Sequence, residues 1–229
     1  MKKFVHRLLA TVFVSAAIPL VSTSQLSAAE WQTLFDGTST SNLRGFKKTE
    51  FPAKGWAVEK DTLRCVASGG GGDIMSRETY TDFELRFDWK VSAGANSGVM
   101  YRVAESATAP YETGPEYQVT DDAKHPDGKN PKTSAAALYA LIACNSTKAL
   151  KPVGQWNKAR IVVKGNHVEH WLNKTKVVEY DLNSPELTKL IGDSKFKSWP
   201  GFAKQPTGHV CFQDHGDDVW FRKIKIRKL

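Results

Sequence analysis

The chain has 229 residues, 41% of them hydrophobic, 10% aromatic and 24% charged. That balance excludes a disordered, collagen-like or disulfide-dense chain and suits one globular domain. The formal charge of +8 raises a nucleic-acid partner as a question that the placement of the charges must answer.

Lys2, Lys3 and Arg7 precede an apolar run from Leu8 to Val21, and Ser27-Ala28-Ala29 supplies small residues before Glu30. Basic, apolar and small-residue regions in that order predict a signal peptide over residues 1–29. The apolar run of about fourteen residues is short for a bilayer-spanning helix. The protein is therefore expected to be secreted or periplasmic, with no stable membrane span after cleavage. Loss of three basic residues leaves the mature chain, 30–229, at +5. Its densest basic stretch, Arg222 to Lys228, alternates with apolar residues as one exposed strand face does. No nucleic-acid partner is expected. The odd set Cys65, Cys144 and Cys211 allows one disulfide with a free thiol, or three thiols.

Within the mature chain, Gly55-Trp56-Ala57-Val58 and Thr62 to Val66 flank Lys60-Asp61 as a hairpin, and Ser68 to Asp73 is a glycine-rich bend. Phe83 to Val91 alternates over nine residues and is the clearest strand. Ser97 to Val103 and Glu116 to Thr120 read as strands. So do Ala159 to Lys164, His167 to Leu172 and Lys176 to Tyr180, linked by the turn pairs Gly165-Asn166 and Asn173-Lys174. Ser184 to Ile191 reads as the one helix, with Ser184 as N-cap and Pro185 at its first position. His209 to Gln213 and Val219 to Arg227 close the chain. Many short strands at close spacing predict an all-β sandwich or jelly roll with one short helix.

Two polar segments rich in proline and glycine, Ala104 to Gly114 and Asp121 to Ser134, lie on either side of Glu116–Thr120 and are expected to rim a site on that strand. Alternation puts Glu116, Gln118 and Thr120 on one face, with Glu116 and Gln118 about 7 Å apart. Asp121 joins them only if the strand ends there. Met100 and Arg102 share a face, and an inward Arg102 calls for an anion or carboxylate, Glu116 being the natural partner if the two strands pair. On a strand, His167 and His170 point to opposite faces, which argues against a shared metal site. His209, Cys211, Gln213 and His215 share a face, where Gln213 and His215 are suited to orienting hydroxyls and moving a proton.

Asn96 to Arg102, Glu116 to Asp121, Leu138-Tyr139, Trp156-Asn157, Gly165 to Asn173, and Gly208 to Ile226 with its Gln213-Asp214-His215-Gly216 core resemble the 3-keto-disaccharide hydrolase domain family. Trp31 to Gly37 looks like the family's usual opening, so the resemblance covers nearly all of residues 31–229. This chain departs from the family pattern near Ala136 and Cys211, where glycine is usual, and at Lys223, where asparagine is usual. The resemblance implies a concanavalin A-like jelly roll acting on sugars oxidised to a ketone at C3.

Such a ketone acidifies the C2 proton. Removing that proton and expelling the C1 substituent is the chemistry of a lyase, and water added afterwards makes it net hydrolysis; the sequence leaves glycoside hydrolase and lyase both open. This route needs a base, donors for the C3 oxygen and an acid, in place of the carboxylate pair of an ordinary glycosidase. On that chemistry Glu116 or His170 is the base, Arg102 and Gln118 stabilise the oxyanion, and His215 is the acid. Gln213, Tyr139 and Asp121 bind hydroxyls. The sequence requires no cofactor and leaves open a divalent cation at Glu116, Asp121 or a histidine. The competing reading is a non-catalytic, lectin-like module, which would display aromatic platforms such as Trp89 or Trp171 with few convergent ionisable groups.

Overall fold

The computed structural model describes residues 1–2 and 30–229, so nearly all of the predicted signal peptide lies outside the described residues. The described chain folds as two antiparallel sheets packed face to face. The first sheet runs in the order β11 (Thr175–Asp181), β10 (His167–Leu172), β9 (Asn157–Lys164), β6 (Phe83–Val91), β13 (Val219–Lys228), β4 (Thr62–Cys65) and β3 (Trp56–Glu59). β1 (Gln32–Phe35) adds to β13 as its eighth strand. The second sheet runs β2 (Leu43–Gly45), β5 (Ile74–Ser76), β12 (His209–Phe212), β7 (Asn96–Val103) and β8 (Glu116–Thr120).

Alternation along β6 explains the packing. Phe83, Leu85, Phe87, Trp89 and Val91 are buried between the sheets, while Arg86 and Lys90 face outward. Phe87 lies at the centre, its ring 5.8 Å from Tyr117 and 6.0 Å from Phe212 of the second sheet. Each such ring removed from water contributes about 1.5–3 kcal/mol before entropy is counted.

The turn chemistry follows the sequence. Lys60 and Asp61, and again Asn173 and Lys174, all have positive φ, the conformation a two-residue hairpin of this twist requires. The helix, α1 (Pro185–Gly192), starts as expected, with the Ser184 hydroxyl accepting a hydrogen bond from the Leu187 N–H at 3.1 Å. The three cysteines are free thiols. The short strands β1, β2 and β5, and a 3₁₀ turn at Lys195–Ser198, carry too few residues to show a period and are additions to the sequence reading.

Two β-bulges break the alternation. On β7, Tyr101 and Arg102 oppose the single Val210 of β12, and Arg102 has φ 51°. On β13, Lys223 and Ile224 oppose Phe87, and Lys223 has φ 52°. Ala136 has φ 68°. Two of the three family departures thus fall on or beside left-handed backbone, where glycine and asparagine carry less strain.

Candidate active site

A pocket of about 190 Å³ opens on the outer face of the second sheet, lined by Asn96, Tyr111, Glu116, Tyr139, Gln213 and His215 together with Lys195 and Phe196. Its size suits one small ring rather than a drug-sized ligand.

Strand pairing sets the floor. β7 and β8 pair antiparallel with Met100 opposite Glu116 and Gly98 opposite Gln118. Tyr117 and Val119 then enter the core, and Glu116 turns to the pocket. Its carboxylate packs into the space that a Cβ on Gly98 would occupy. Among the described residues it receives no hydrogen bond, and burial raises its pKa from 4.5 to about 8. Lys195 acts in the opposite direction, while the charges of Asp73 and Asp127 add to the rise.

The walls come from four segments. Gln213 and His215 sit just beyond β12. The Gln213 N–H donates to Gly98 O at 3.0 Å, and the Asp214 N–H donates to Asp73 Oδ1 at 2.8 Å. Asp214 Oδ2 in turn accepts from the Gly72 N–H at 2.9 Å, so the glycine-rich bend clamps this corner. Tyr139 is held against β8 by its N–H donating to Glu116 O at 3.1 Å, and its hydroxyl donates to Asp127 Oδ2 at 3.3 Å. Lys195 rests its ammonium 4.5 Å from the Tyr139 ring. Tyr111, from the 104–114 segment, packs 5.3 Å from Trp199, which continues to Phe196. The buried carbonyl oxygens of the Asn96 and Gln213 side chains lack a partner. Buried amides of this kind normally find one, so these two residues of the pocket lining each hold an unused acceptor.

The expected site residues divide. Glu116, Tyr139, Gln213 and His215 share the pocket. Four others do not line it. Arg102 is turned away by the β7 bulge, so it does not reach Glu116. Its guanidinium donates to Thr81 O at 2.8 Å and Gly165 O at 2.8 Å and lies 3.4 Å from Asp82. His170 is buried between the sheets. Its Nε2 shares a hydrogen bond with the Tyr101 hydroxyl at 2.9 Å and its Nδ1 one with Ala136 O at 3.1 Å. Burial lowers its pKa to about 4, which fixes it as a neutral core group. Gln118 lies under the loop and donates to Thr133 O at 3.0 Å. Asp121 does follow the strand end, but its oxygens accept from the Gly94 and Ala123 N–H groups.

The metal option changes accordingly. Glu116 and Asp121 do not converge. Among the described residues the three-ligand cluster is His167, Glu169 and Glu179, at the edge of the other sheet, with Lys176 between its carboxylates. Of the aromatic platforms a lectin would display, Trp89 is fully buried and Trp171 lies on the opposite sheet under Arg160. Asn96, Tyr111, Lys195 and Phe196 were missed as site residues. The two long segments flanking β8 pointed to Tyr111 and Asp127. Nothing local points to Lys195, which a turn after α1 brings over the pocket.

Two packed antiparallel sheets in which strands distant in the chain lie side by side, β13 between β6 and β4 and β12 between β5 and β7, place the fold in the jelly-roll class of β-sandwich. The model of the 3-keto-alpha-glucoside-1,2-lyase-like domain matches residues 30–227. The chain belongs to that family. It is 37% identical to a 3-keto-disaccharide hydrolase of Bacteroides thetaiotaomicron over 86% of this chain and 78% of that protein. A solved structure from Parabacteroides distasonis, provisionally described as a glycosyl hydrolase, superposes with a TM-score of 0.79 at 33% identity, covering 87% of this chain and 94% of that one. A carbohydrate-binding module of Bacillus subtilis shares the fold at 13% identity and a TM-score of 0.51, covering 82% of this chain and 96% of that one.

Proposed function

We propose that this protein cleaves the glycosidic bond of 3-keto-glycosides, using Glu116 as the base that removes the C2 proton. The observation that carries the reading is the Glu116 carboxylate, buried in a pocket without a hydrogen-bond donor and with its pKa raised to about 8. A carboxylate of ordinary strength is a weak base toward carbon, and burial brings this one near neutral pH, where its ionised form is a stronger base.

In this reading the electrons of the C2–H bond form an enolate with the C3 oxygen, and the C1 oxygen leaves with a proton from His215. Water then adds to C1 and a proton returns to C2, which completes hydrolysis. Arg102 and Gln118 being engaged elsewhere, the cation for the developing oxyanion is Lys195, which lines the pocket together with Asn96 and Gln213. Tyr139 and the Tyr111–Trp199 wall fit a sugar ring with one polar and one apolar edge. The 37% identical 3-keto-disaccharide hydrolase supports the substrate class. Export through residues 1–29 belongs to the same proposal, and an exported form beginning at Glu30 is its test.

The deciding experiment incubates the purified protein with 3-keto and ordinary disaccharides in deuterated or heavy-oxygen water, followed by mass spectrometry. Cleavage of the 3-keto sugar alone, with deuterium at C2, is the expected result. Cleavage without exchange at C2 removes the elimination route, and equal cleavage of the unoxidised sugar removes the substrate class.

A further inference from the structure

The outer face of the eight-stranded sheet, on the opposite side of the sandwich from the pocket, carries a row of cations in register. Lys225 of β13 pairs with Arg86 of β6, Arg86 with Arg160 of β9, and Arg160 with Trp171 of β10. Neighbouring strands lie about 4.8 Å apart, and like charges directly opposite each other destabilise a sheet. The row has little internal compensation. Arg86, Arg160 and Arg227 all converge on the single carboxylate of Glu84. Lys158, Lys174, Lys223 and Lys225 have no carboxylate within ion-pair distance among the described residues.

The surface is also grooved. Two hollows of about 510 and 340 Å³ meet at Arg86, Lys158 and Ala159. The β13 bulge at Lys223 and Ile224 lines the larger hollow, and Trp171 and Lys174 line the smaller. We propose that this groove is a second binding site, which takes a linear anionic polysaccharide bearing sulfate or carboxylate groups.

Three observations favour that occupant. The hollows are lined by Arg86, Arg160, Lys158, Lys174, Lys223 and Lys225 against two carboxylates, Asp36 and Asp88, and of these cations Arg86 and Arg160 share the one carboxylate of Glu84, an excess that suits the regular anionic charges of such a chain. A continuous channel fits a chain better than a flat bilayer, and among the described residues the exposed large apolar side chains that would enter a bilayer, Met1, Val58, Tyr111, Val153 and Leu229, line neither hollow. The indoles of this face are already covered, Trp171 by Arg160 at 4.6 Å and Trp31 by Arg86 at 4.8 Å, so they are not free for base stacking. The preference for a glycan rests in part on the carbohydrate reading of the pocket; the charge match does not.

The test measures binding of the purified protein to dextran sulfate, neutral dextran, phosphatidylglycerol vesicles and oligothymidine by titration at several salt concentrations. Dextran sulfate is expected to bind at least tenfold more tightly than each of the others. The Lys158→Gln/Lys223→Gln/Lys225→Gln variant is expected to bind at least tenfold more weakly, with a slope of log K against log salt lower by about two to three. Arg86→Gln weakens binding by a separate route. The triple variant should unfold no earlier than the parent, because it relieves repulsion. Glu116→Gln should bind dextran sulfate unchanged, so a pocket that fails to cleave 3-keto sugars leaves this site standing. Absence of dextran sulfate binding overturns the proposal. So does binding that both groove variants retain, or tighter binding to the vesicles or to oligothymidine.

Discussion

The Glu116 carboxyl group fills the space that a Cβ on Gly98 would need. A strand position that elsewhere carries a side chain is left empty here, and the neighbouring strand's carboxylate lies flat in it. The absence of that side chain lets the carboxylate sink until burial dominates its pKa. Adding one methyl group at Gly98 therefore tests the site without replacing any ionisable residue. Gly98→Ala is expected to retain the fold and displace Glu116, lowering kcat/KM on a 3-keto-glycoside about a hundredfold. A circular-dichroism melt together with kinetics checks it. Full activity would separate the seat of Glu116 from catalysis.

Glu116→Gln is expected to abolish cleavage and to stabilise the fold. The folded pKa of about 8 lies above the ordinary value of 4.5. The folded state therefore holds the proton more tightly, and the carboxylate destabilises it increasingly as pH rises from 4.5 to 8. At about 1.4 kcal/mol per unit, the gain from Gln is on the order of a few kcal/mol at pH 8 and absent at pH 4. Denaturant melts at the two pH values measure it. A gain independent of pH would contradict the raised pKa.

His170→Asn is expected to weaken the fold while leaving kcat of the folded fraction unchanged. The folded pKa of about 4 lies below the ordinary value of 6.5. His170 therefore contributes stability above pH 6.5 that is lost as pH falls through 4. The variant should lack that part of the acid slope. A large fall in kcat at full folding would return His170 to the reaction.

Arg102→Leu should behave in the same way for a different reason. It leaves the carbonyls of Thr81 and Gly165 without their buried donor, at about 3 kcal/mol or more. The loss should appear in the unfolding midpoint, with KM and kcat unchanged.

Lys223 is exposed and holds φ 52° at the β13 bulge. Lys223→Asn, the residue usual at this position in the family, is expected to stabilise by about 0.5–1 kcal/mol, because asparagine tolerates left-handed backbone better than lysine does. Thermal unfolding checks it, and an unchanged or lower midpoint would show that the bulge is not strained.

Much of the fold was legible because its signals are local. Phe83–Val91 alternates and is a strand over those residues, and Asn173-Lys174 turns where its residue types tolerate positive φ. The site was half legible. Alternation placed Glu116 on the outward face, and the two long segments beside it supplied Tyr111 and the Asp127 that holds Tyr139. Arg102 does not share the face of Met100 because the extra residue in β7 turns the strand at Arg102, so that Val103 takes that face, and a bulge leaves almost no trace in composition. The burial of His170 was not legible, because a histidine on a strand reads alike whether its face meets water or a second sheet.

The sequence by itself determined the periodic elements, their turns and, through motifs spread along the chain, the family. It did not determine which polar residues meet. Glu116, Gln213, Tyr139 and Lys195 come from segments far apart in the chain, and sheet packing and register alone bring them to one pocket. The charge of +8 shows the same division. Its size is a property of the sequence. The alignment of Lys225, Arg86 and Arg160 in one row across three strands is set by hydrogen-bond register, which exists only once the strands have paired.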